Sequence, residues 1–205
     1  MPVSATTAQH KAQVKQKRAL SGLLTTKHVS ESQSNADPLR FIAHYSPSVI
    51  AQVNQLIKSN KLAENLKQRY PDHHDIRTDK SLYQYAMAFK QQYLKQSSPL
   101  SKVIFDDKIS LSHQALGLHS YVQRRQGNKV KAKNEIRISS RLKSVPEPLL
   151  KMVVVHELAH LKEKDHNKAF YQLCCAMTQD YHQLEFDLRL LLVCEALADS
   201  PYETS

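Results

Sequence analysis

The chain has 205 residues, of which 41% are hydrophobic and 23% charged, a composition typical of one ordinary globular domain. Its three cysteines include no CxxC pair, which excludes a zinc ribbon and a disulfide framework and favours a reducing compartment. There is no apolar run long enough to span a bilayer and no apolar core of a secretory signal, so we expect a cytoplasmic protein without membrane contact. The formal net charge of +10 suits polyanionic partners such as nucleic acid, and it suits a plain solvated surface equally well.

The N-terminal segment differs in composition from the rest of the chain. Residues 1–37 are rich in Ser, Thr, Gln and Lys and contain no aromatic residue. Such a segment buries too little apolar surface to offset the entropy of ordering, so we predict a flexible basic tail. One domain over residues 38–198 and a short C-terminal tail over residues 199–205 complete the predicted organisation.

Three helices are predicted in the first half of the domain. Ser46 followed by Pro47 is typical of a helix start, and apolar residues recur at helical spacing between residues 49 and 57. A second short helix is predicted over residues 62–70, before a proline, and a third, with Asp79 as its cap, to about residue 95.

The pattern changes to short strands after residue 100. β-like runs cover residues 102–105, 118–125 and 129–139, and Gly127 lies between the second and third in a stretch with hairpin chemistry. These runs predict a small antiparallel sheet between two helical regions. The fold class is therefore α+β.

Three further helices are predicted after the sheet. Ser144 and Glu147 have the spacing of a capping box, which predicts a helix over about residues 149–162. The next helix is predicted from Asp165, as its cap, to about residue 177, and the last over about residues 184–197.

The first of these helices carries an HExxH motif, formed by His156, Glu157 and His160. Residues four apart lie on one face of a helix, so both imidazoles can bind one zinc ion. Glu157 lies one position further round and can take a proton from a zinc-bound water without displacing the ligands. This combination predicts a hydrolase that attacks a carbonyl with activated water.

A catalytic zinc site needs a third protein ligand, and two residues are candidates. His166 follows His160 after five residues and, with Asp165 as a helix cap, would lie in the first turn of the next helix. Glu185 on the last helix is the alternative carboxylate ligand. The shorter reach favours His166.

The remaining polar candidates have weaker signals. Tyr171, Tyr181 and His182 could stabilise a developing oxyanion, although packing roles are more common for such residues. Other histidines have no partner at metal spacing and are interpreted as surface or loop residues: His73, His74, His113 and His119. The adjacent thiols of Cys174 and Cys175 are interpreted as inert.

The segment VVVHELAHLKEKDHNKAFYQLCC, followed by DYHQLEFDLRL, resembles the YgjP-like metallopeptidases. The resemblance extends back through KAKNEIRIS and LGLHSYVQRRQG to RYPDHHDIRTDK and covers most of residues 40–192. These proteins are similar to the WLM and SprT-like proteases. The resemblance implies a compact, minimal gluzincin-type zincin domain and an HExxH-x5-H zinc site that falls on His156, His160 and His166, with Glu157 catalytic. It also implies a peptide substrate extended along an edge strand.

Two classes of function remain open from the sequence. The first is a zinc peptidase acting on a peptide or protein. The second is a nucleic-acid-associated protein with a structural zinc site, and a DNA-recruited protease would combine both. The carboxylate of Glu157 favours the first class, because a structural site has a closed fourth ligand and needs no adjacent acid. The same carboxylate argues against a pseudo-enzyme.

The nucleic-acid hypothesis depends on a basic hairpin over residues 124–143. This segment carries eight basic residues and one acidic residue, Glu135, for a net charge of +7. Concentrated cations suit phosphate backbones, and lysines also commonly protect exposed strand edges. The basic residues are Arg124, Arg125, Lys129, Lys131, Lys133, Arg137, Arg141 and Lys143.

Overall fold

The computed structural model describes residues 37–109, 117–126 and 129–202, with backbone alone at residues 118, 119, 121–126 and 129–133. The chain divides into two compact units, residues 1–40 and residues 41–205. The predicted basic tail lies almost entirely outside the described residues. Within the segment predicted as a C-terminal tail, Tyr202 is buried, and its hydroxyl lies 3.2 Å from the carbonyl oxygen of Leu66 and 3.1 Å from that of Tyr70.

Six α-helices and three strands form the second unit, within the described residues. In chain order they are α1 (Pro47–Lys58), α2 (Leu62–Arg69), α3 (Asp79–Tyr93), β1 (Leu100–Asp106), β2 (Gly117–Gln126), β3 (Lys129–Ser139), α4 (Glu147–Ala159), α5 (Lys168–Met177) and α6 (Tyr181–Ala196). Short 3-10 helices cover Pro38–Ile42 and Ser140–Lys143. The predicted α+β class and the order of elements are confirmed. None of the described helices is both long and apolar enough to cross a membrane.

Two of the three N-terminal helices, α1 and α3, begin at a side-chain cap. Ser46 caps α1 by accepting from Val49 N at 3.4 Å, as its pairing with Pro47 predicts. Thr78 caps α3 by accepting from Ser81 N at 3.1 Å, one residue before the predicted cap, Asp79. Both hydroxyls satisfy backbone N–H groups that have no partner within the helix.

The sheet is mixed, with strand order β1–β3–β2. β2 and β3 pair in an antiparallel hairpin, but β1 runs parallel to β3, from Leu100 opposite Asn134 to Asp106 opposite Ser139. The prediction of an antiparallel sheet is therefore wrong. Turn chemistry fixes the direction of two strands joined by a hairpin, whereas no local signal fixes the direction of β1 against a strand reached by a long connection.

Helix α4 is the centre of the core. It contacts the sheet through β2 and β3 and also contacts α3, α5 and α6. Its apolar side chains are buried on all sides, including Leu149, Val154, Val155 and Leu158 at 0% exposure. A helix that is apolar all round is enclosed by the rest of the domain, so any residue on it has a fixed position.

The predicted capping box of α4 is absent. Pro146 occupies the cap position and no side chain caps the helix. Ser144 instead ends the preceding 3-10 helix, and the carboxylate of Glu147 accepts a hydrogen bond from the Tyr85 hydroxyl. Glu147 thus links α4 to α3 and does not cap the first turn of α4.

The connection between α4 and α5 is longer than predicted. α4 ends at Ala159, with His160 as its C-cap, and not near residue 162. α5 begins at Lys168 with Asn167 as its cap, so the prediction that Asp165 caps this helix is wrong. His166 therefore lies in the loop before α5 and not in its first turn. Asp165 and Asn167 are both good caps, and sequence alone does not separate two cap residues at this spacing.

Replacing Asn167 with alanine should destabilise the metal-free protein by about 1 kcal/mol, because Asn167 Oδ1 accepts from Phe170 N at 2.9 Å. Urea unfolding in the presence of a chelator measures this without a contribution from bound metal. Asp165→Ala is the matched control. Asp165 contributes its backbone carbonyl, which accepts from Asn167 N at 2.8 Å and which alanine retains. An equal or larger loss in Asp165→Ala would contradict the assignment of the cap.

Candidate metal centre

Three histidines converge at the C-terminal end of α4. His156 and His160 lie one turn apart on α4, and the loop brings His166 to a ring-centroid distance of 4.9 Å from each. All three offer nitrogen atoms within 4.8 Å of one another, and His156 Nε2 lies 3.0 Å from His166 Nε2. Two nitrogens bound to one tetrahedral zinc lie about 3.3 Å apart, so the arrangement is close to that of a zinc site.

Hydrogen bonds orient two of the three rings. His156 Nδ1 lies 2.6 Å from the hydroxyl of Tyr181, and His160 Nδ1 lies 3.0 Å from the carbonyl oxygen of Glu163. With each Nδ1 protonated and donating to its oxygen, the Nε2 lone pairs face the point of convergence. Phe170 packs against all three rings, with centroid distances of 4.7 to 4.9 Å. Partners of this kind fix ring orientation in metal sites.

The electrostatic surroundings favour neutral imidazoles. Burial, together with the smaller effects of the neighbouring His160, His166 and Arg189, lowers the pKa of His156 to about 3. Burial also lowers the pKa of His160. Both rings are therefore uncharged at neutral pH, which is the form that binds a metal ion.

Glu157 lies beside this cluster and is only 6% exposed. It lines a cavity of about 300 Å³ together with His156, His166 and Gly117. Gly117 opens strand β2 and passes very close to the carboxylate. A Cβ atom at this position would lie 2.7 Å from Glu157 Cγ and 2.8 Å from Glu157 Cδ, closer than such atoms approach in proteins. The carboxylate of Glu157 can therefore occupy this position only because Gly117 has no side chain.

The donor set fits zinc. Three imidazoles form a common catalytic set for this ion, and a structural zinc site would need a fourth protein ligand. Among the described residues, His156, His160 and His166 form the one group of three or more potential ligands. Their convergence borders a cavity, which leaves space for water and substrate beside the ion.

The alternative ligand and the candidate oxyanion residues have distinct positions. Glu185 lines the same cavity, but its Oε1 lies 3.1 Å from Arg189 Nη2 and it is not part of the cluster. Tyr171 also lines this cavity, whereas His182 lines a separate cavity between α1, α2 and α6. Tyr181 is fully buried beneath His156 and acts as its hydrogen-bond partner.

Within the described residues, neither the cysteines nor any other histidine belongs to the metal cluster. His74 lies in a loop, as predicted, and is buried there, with its Nε2 2.9 Å from the carbonyl oxygen of Leu142. His113 and the side chain of His119 are outside the described residues. The cysteines are free thiols, and burial raises the pKa of Cys174 and of Cys194 to about 12, which fits inert groups.

Sequence reasoning missed Gly117 and Arg189, which both line the cavity. The sequence did contain a signal for the role of Gly117. The chain has only three glycines, and a glycine inside a strand often marks a place where another group approaches the backbone closely. Arg189 had no such signal. It reaches the site through the packing of α6 against α4.

The proposed nucleic-acid interface is described only in part. The backbone of the hairpin pairs from Gly117 opposite Ile138 to Gln126 opposite Lys129. The side chains of Lys129, Lys131 and Lys133 are outside the described residues. Binding of nucleic acid by this hairpin stays a prediction.

Comparison with known proteins identifies the family. The family model of the YgjP-like metallopeptidase domain matches residues 55–190. The protein named UTP pyrophosphatase from Escherichia coli (strain K12) is 53% identical over 154 residues, which span 75% of this chain and 92% of the relative. No solved structure matches the chain significantly. The resemblance noted in the sequence is thereby confirmed, and the chain belongs to the YgjP-like metallopeptidase domain family.

Proposed function

We propose that this protein is a zinc-dependent hydrolase in which His156, His160 and His166 hold the metal and Glu157 is the general base. The observation that carries the proposal is the position of the Glu157 carboxylate, which lines the same cavity as two of the three clustered imidazoles. A carboxylate beside an open three-histidine site is the arrangement that hydrolysis requires and that a structural zinc site lacks.

Each residue has a defined part in the reaction. Zinc, when bound, supplies a Lewis acid that lowers the pKa of water towards neutrality. Glu157 accepts the proton of the attacking water and is held in place by its burial and by the backbone at Gly117. Tyr181 keeps His156 in the orientation that presents Nε2.

The proposed substrate is UTP. Its hydrolysis forms a bond between the water oxygen and the α-phosphorus and breaks the bond from that phosphorus to the α,β-bridging oxygen, so that UMP and pyrophosphate leave. Support comes from the name of a relative that is 53% identical over most of both chains. The guanidinium of Arg189 in the cavity suits a triphosphate as well.

Hydrolysis of a peptide bond is the second candidate. The family is described as a metallopeptidase domain, and β2 lies at an edge of the described sheet with its first residue, Gly117, against Glu157. An extended peptide paired with this edge would pass the carboxylate. The same zinc and the same base would serve both reactions, so the substrate is what separates them.

Glu157→Gln should lower hydrolysis by roughly 10²- to 10⁴-fold while zinc content stays at the wild-type level, because an amide cannot accept the proton. Pyrophosphate release from UTP and cleavage of unstructured proteins such as casein are measured in parallel, with elemental analysis for zinc. UTP hydrolysis that is lost in Glu157→Gln supports the first substrate, and casein cleavage with the same dependence supports the second. Wild-type rates in Glu157→Gln on either substrate would overturn the mechanism.

Gly117→Ala should reduce activity on the same substrate by at least about tenfold with zinc retained, because the new Cβ atom displaces the Glu157 carboxylate. Ser120→Ala is the matched control. It lies three residues further along β2, about 10 Å away, and should keep wild-type activity. Full activity in Gly117→Ala would contradict the close approach of β2 to the carboxylate.

A further inference from the structure

The cavity beside the histidine cluster contains a second charged group that the metal chemistry does not use. We infer that Arg189 binds the anionic part of the substrate, which for UTP is the phosphate chain beyond the α-phosphorus. This inference rests on the proposed function and names a specificity-determining residue for it. Arg189 lies on α6, lines the cavity with His156 and Glu157, and has a side chain that is 24% exposed.

The surroundings of Arg189 strengthen its attraction for an anion. Part of the cavity wall is apolar and is formed by Met152, Val153, Leu188 and Leu192, while the carboxylates of Glu157 and Glu185 also line the cavity. Charges in such partly enclosed, apolar surroundings interact more strongly than they do in bulk water. A phosphate chain between zinc and Arg189 would therefore meet positive charge at both ends.

Arg189 has hydrogen-bond donors to spare. A guanidinium has five N–H donors, and a structural pair with a carboxylate commonly uses two of them in a bidentate contact. Here Nη2 donates to Glu185 Oε1 at 3.1 Å, Nη1 makes a long contact of 3.4 Å with the carbonyl oxygen of Phe41, and the guanidinium also hydrogen-bonds the side chain of Tyr45. Within the described part of the chain, Arg189 Nε has no hydrogen-bond partner. The ion pair with Glu185 thus positions the guanidinium of Arg189 and leaves some of its N–H donors available for a ligand.

The two members of the pair have different roles. Arg189 contacts the phosphate chain of the bound substrate. Glu185 is one helical turn earlier on α6 and holds the guanidinium at the cavity wall. Because the Glu185 carboxylate repels an incoming phosphate, removing its charge should favour anion binding.

Binding of inorganic phosphate to the zinc-loaded protein tests this inference without turnover. Isothermal titration calorimetry compares the wild type with Arg189→Gln, Arg189→Lys and Glu185→Gln, and elemental analysis checks the zinc content of each sample. We expect phosphate to bind about tenfold or more weakly in Arg189→Gln, because a charged hydrogen-bonded contact is lost. Arg189→Lys should be intermediate, since it keeps the charge but loses the planar fork. Glu185→Gln should bind phosphate as tightly as the wild type or more tightly.

The outcomes separate this role from a purely structural ion pair. If the pair only stabilises the fold, Arg189→Gln and Glu185→Gln lower the melting temperature alike and change phosphate affinity alike, and that result would overturn the inference. Arg77→Gln removes an exposed guanidinium outside the cavity and is the charge-matched control. Should Arg189→Gln fail to fold, weaker binding in Arg189→Lys supports the inference and unchanged binding rejects it.

Kinetics with UTP and with an acidic peptide identify the source of the anion. Arg189→Lys should raise the KM of the true substrate several-fold more than it lowers kcat, and uridine without phosphate should bind equally to all variants. If the wild type hydrolyses no UTP, the proposed substrate fails while the phosphate titration still decides the role of Arg189.

Discussion

The site depends on one turn of helix, between His156 and His160, that is held rigid by its surroundings. Two imidazoles one turn apart can share a metal ion only if the helix cannot rotate or fray. Helix α4 meets this need because it is apolar on every side and enclosed by the sheet and by α3, α5 and α6. The neighbouring elements supply the other components: the loop before α5 supplies His166, α6 supplies Tyr181 and Arg189, and β2 supplies the backbone against Glu157.

The family is described as a metallopeptidase domain, whereas the relative is named UTP pyrophosphatase. The geometry of the site is compatible with both descriptions. A Lewis acid, a base and an open cavity activate water for attack on a carbonyl or on a phosphorus atom alike. What differs is how the substrate is held. The edge strand β2 suits an extended peptide, whereas a half-buried guanidinium in the cavity beside the metal cluster suits a phosphate chain. We therefore propose that substrate choice depends on α6 and β2 and not on the HExxH helix.

Much of this fold could be predicted from the sequence where the signals are local. The cap at Ser46, the hairpin of β2 and β3 and the pairing of His156 with His160 each depend on residues within a few positions of one another. The failures have two physical causes. Asp165 and Asn167 compete for one cap, and their small energy difference is set by the loop that delivers His166. The direction of β1 and the arrival of Arg189 at the cavity are tertiary contacts, for which the sequence carries no local pattern.

The central claim is that one zinc ion is held by three histidines and by no carboxylate of the chain. Zinc content after dialysis against a weak chelator, measured by elemental analysis on the wild type, His166→Ala and Glu185→Ala, tests it most directly. We expect about one zinc per chain in the wild type and in Glu185→Ala, and a strong loss in His166→Ala, because three imidazoles form the catalytic set. Zinc retained in His166→Ala and lost from Glu185→Ala would contradict the account.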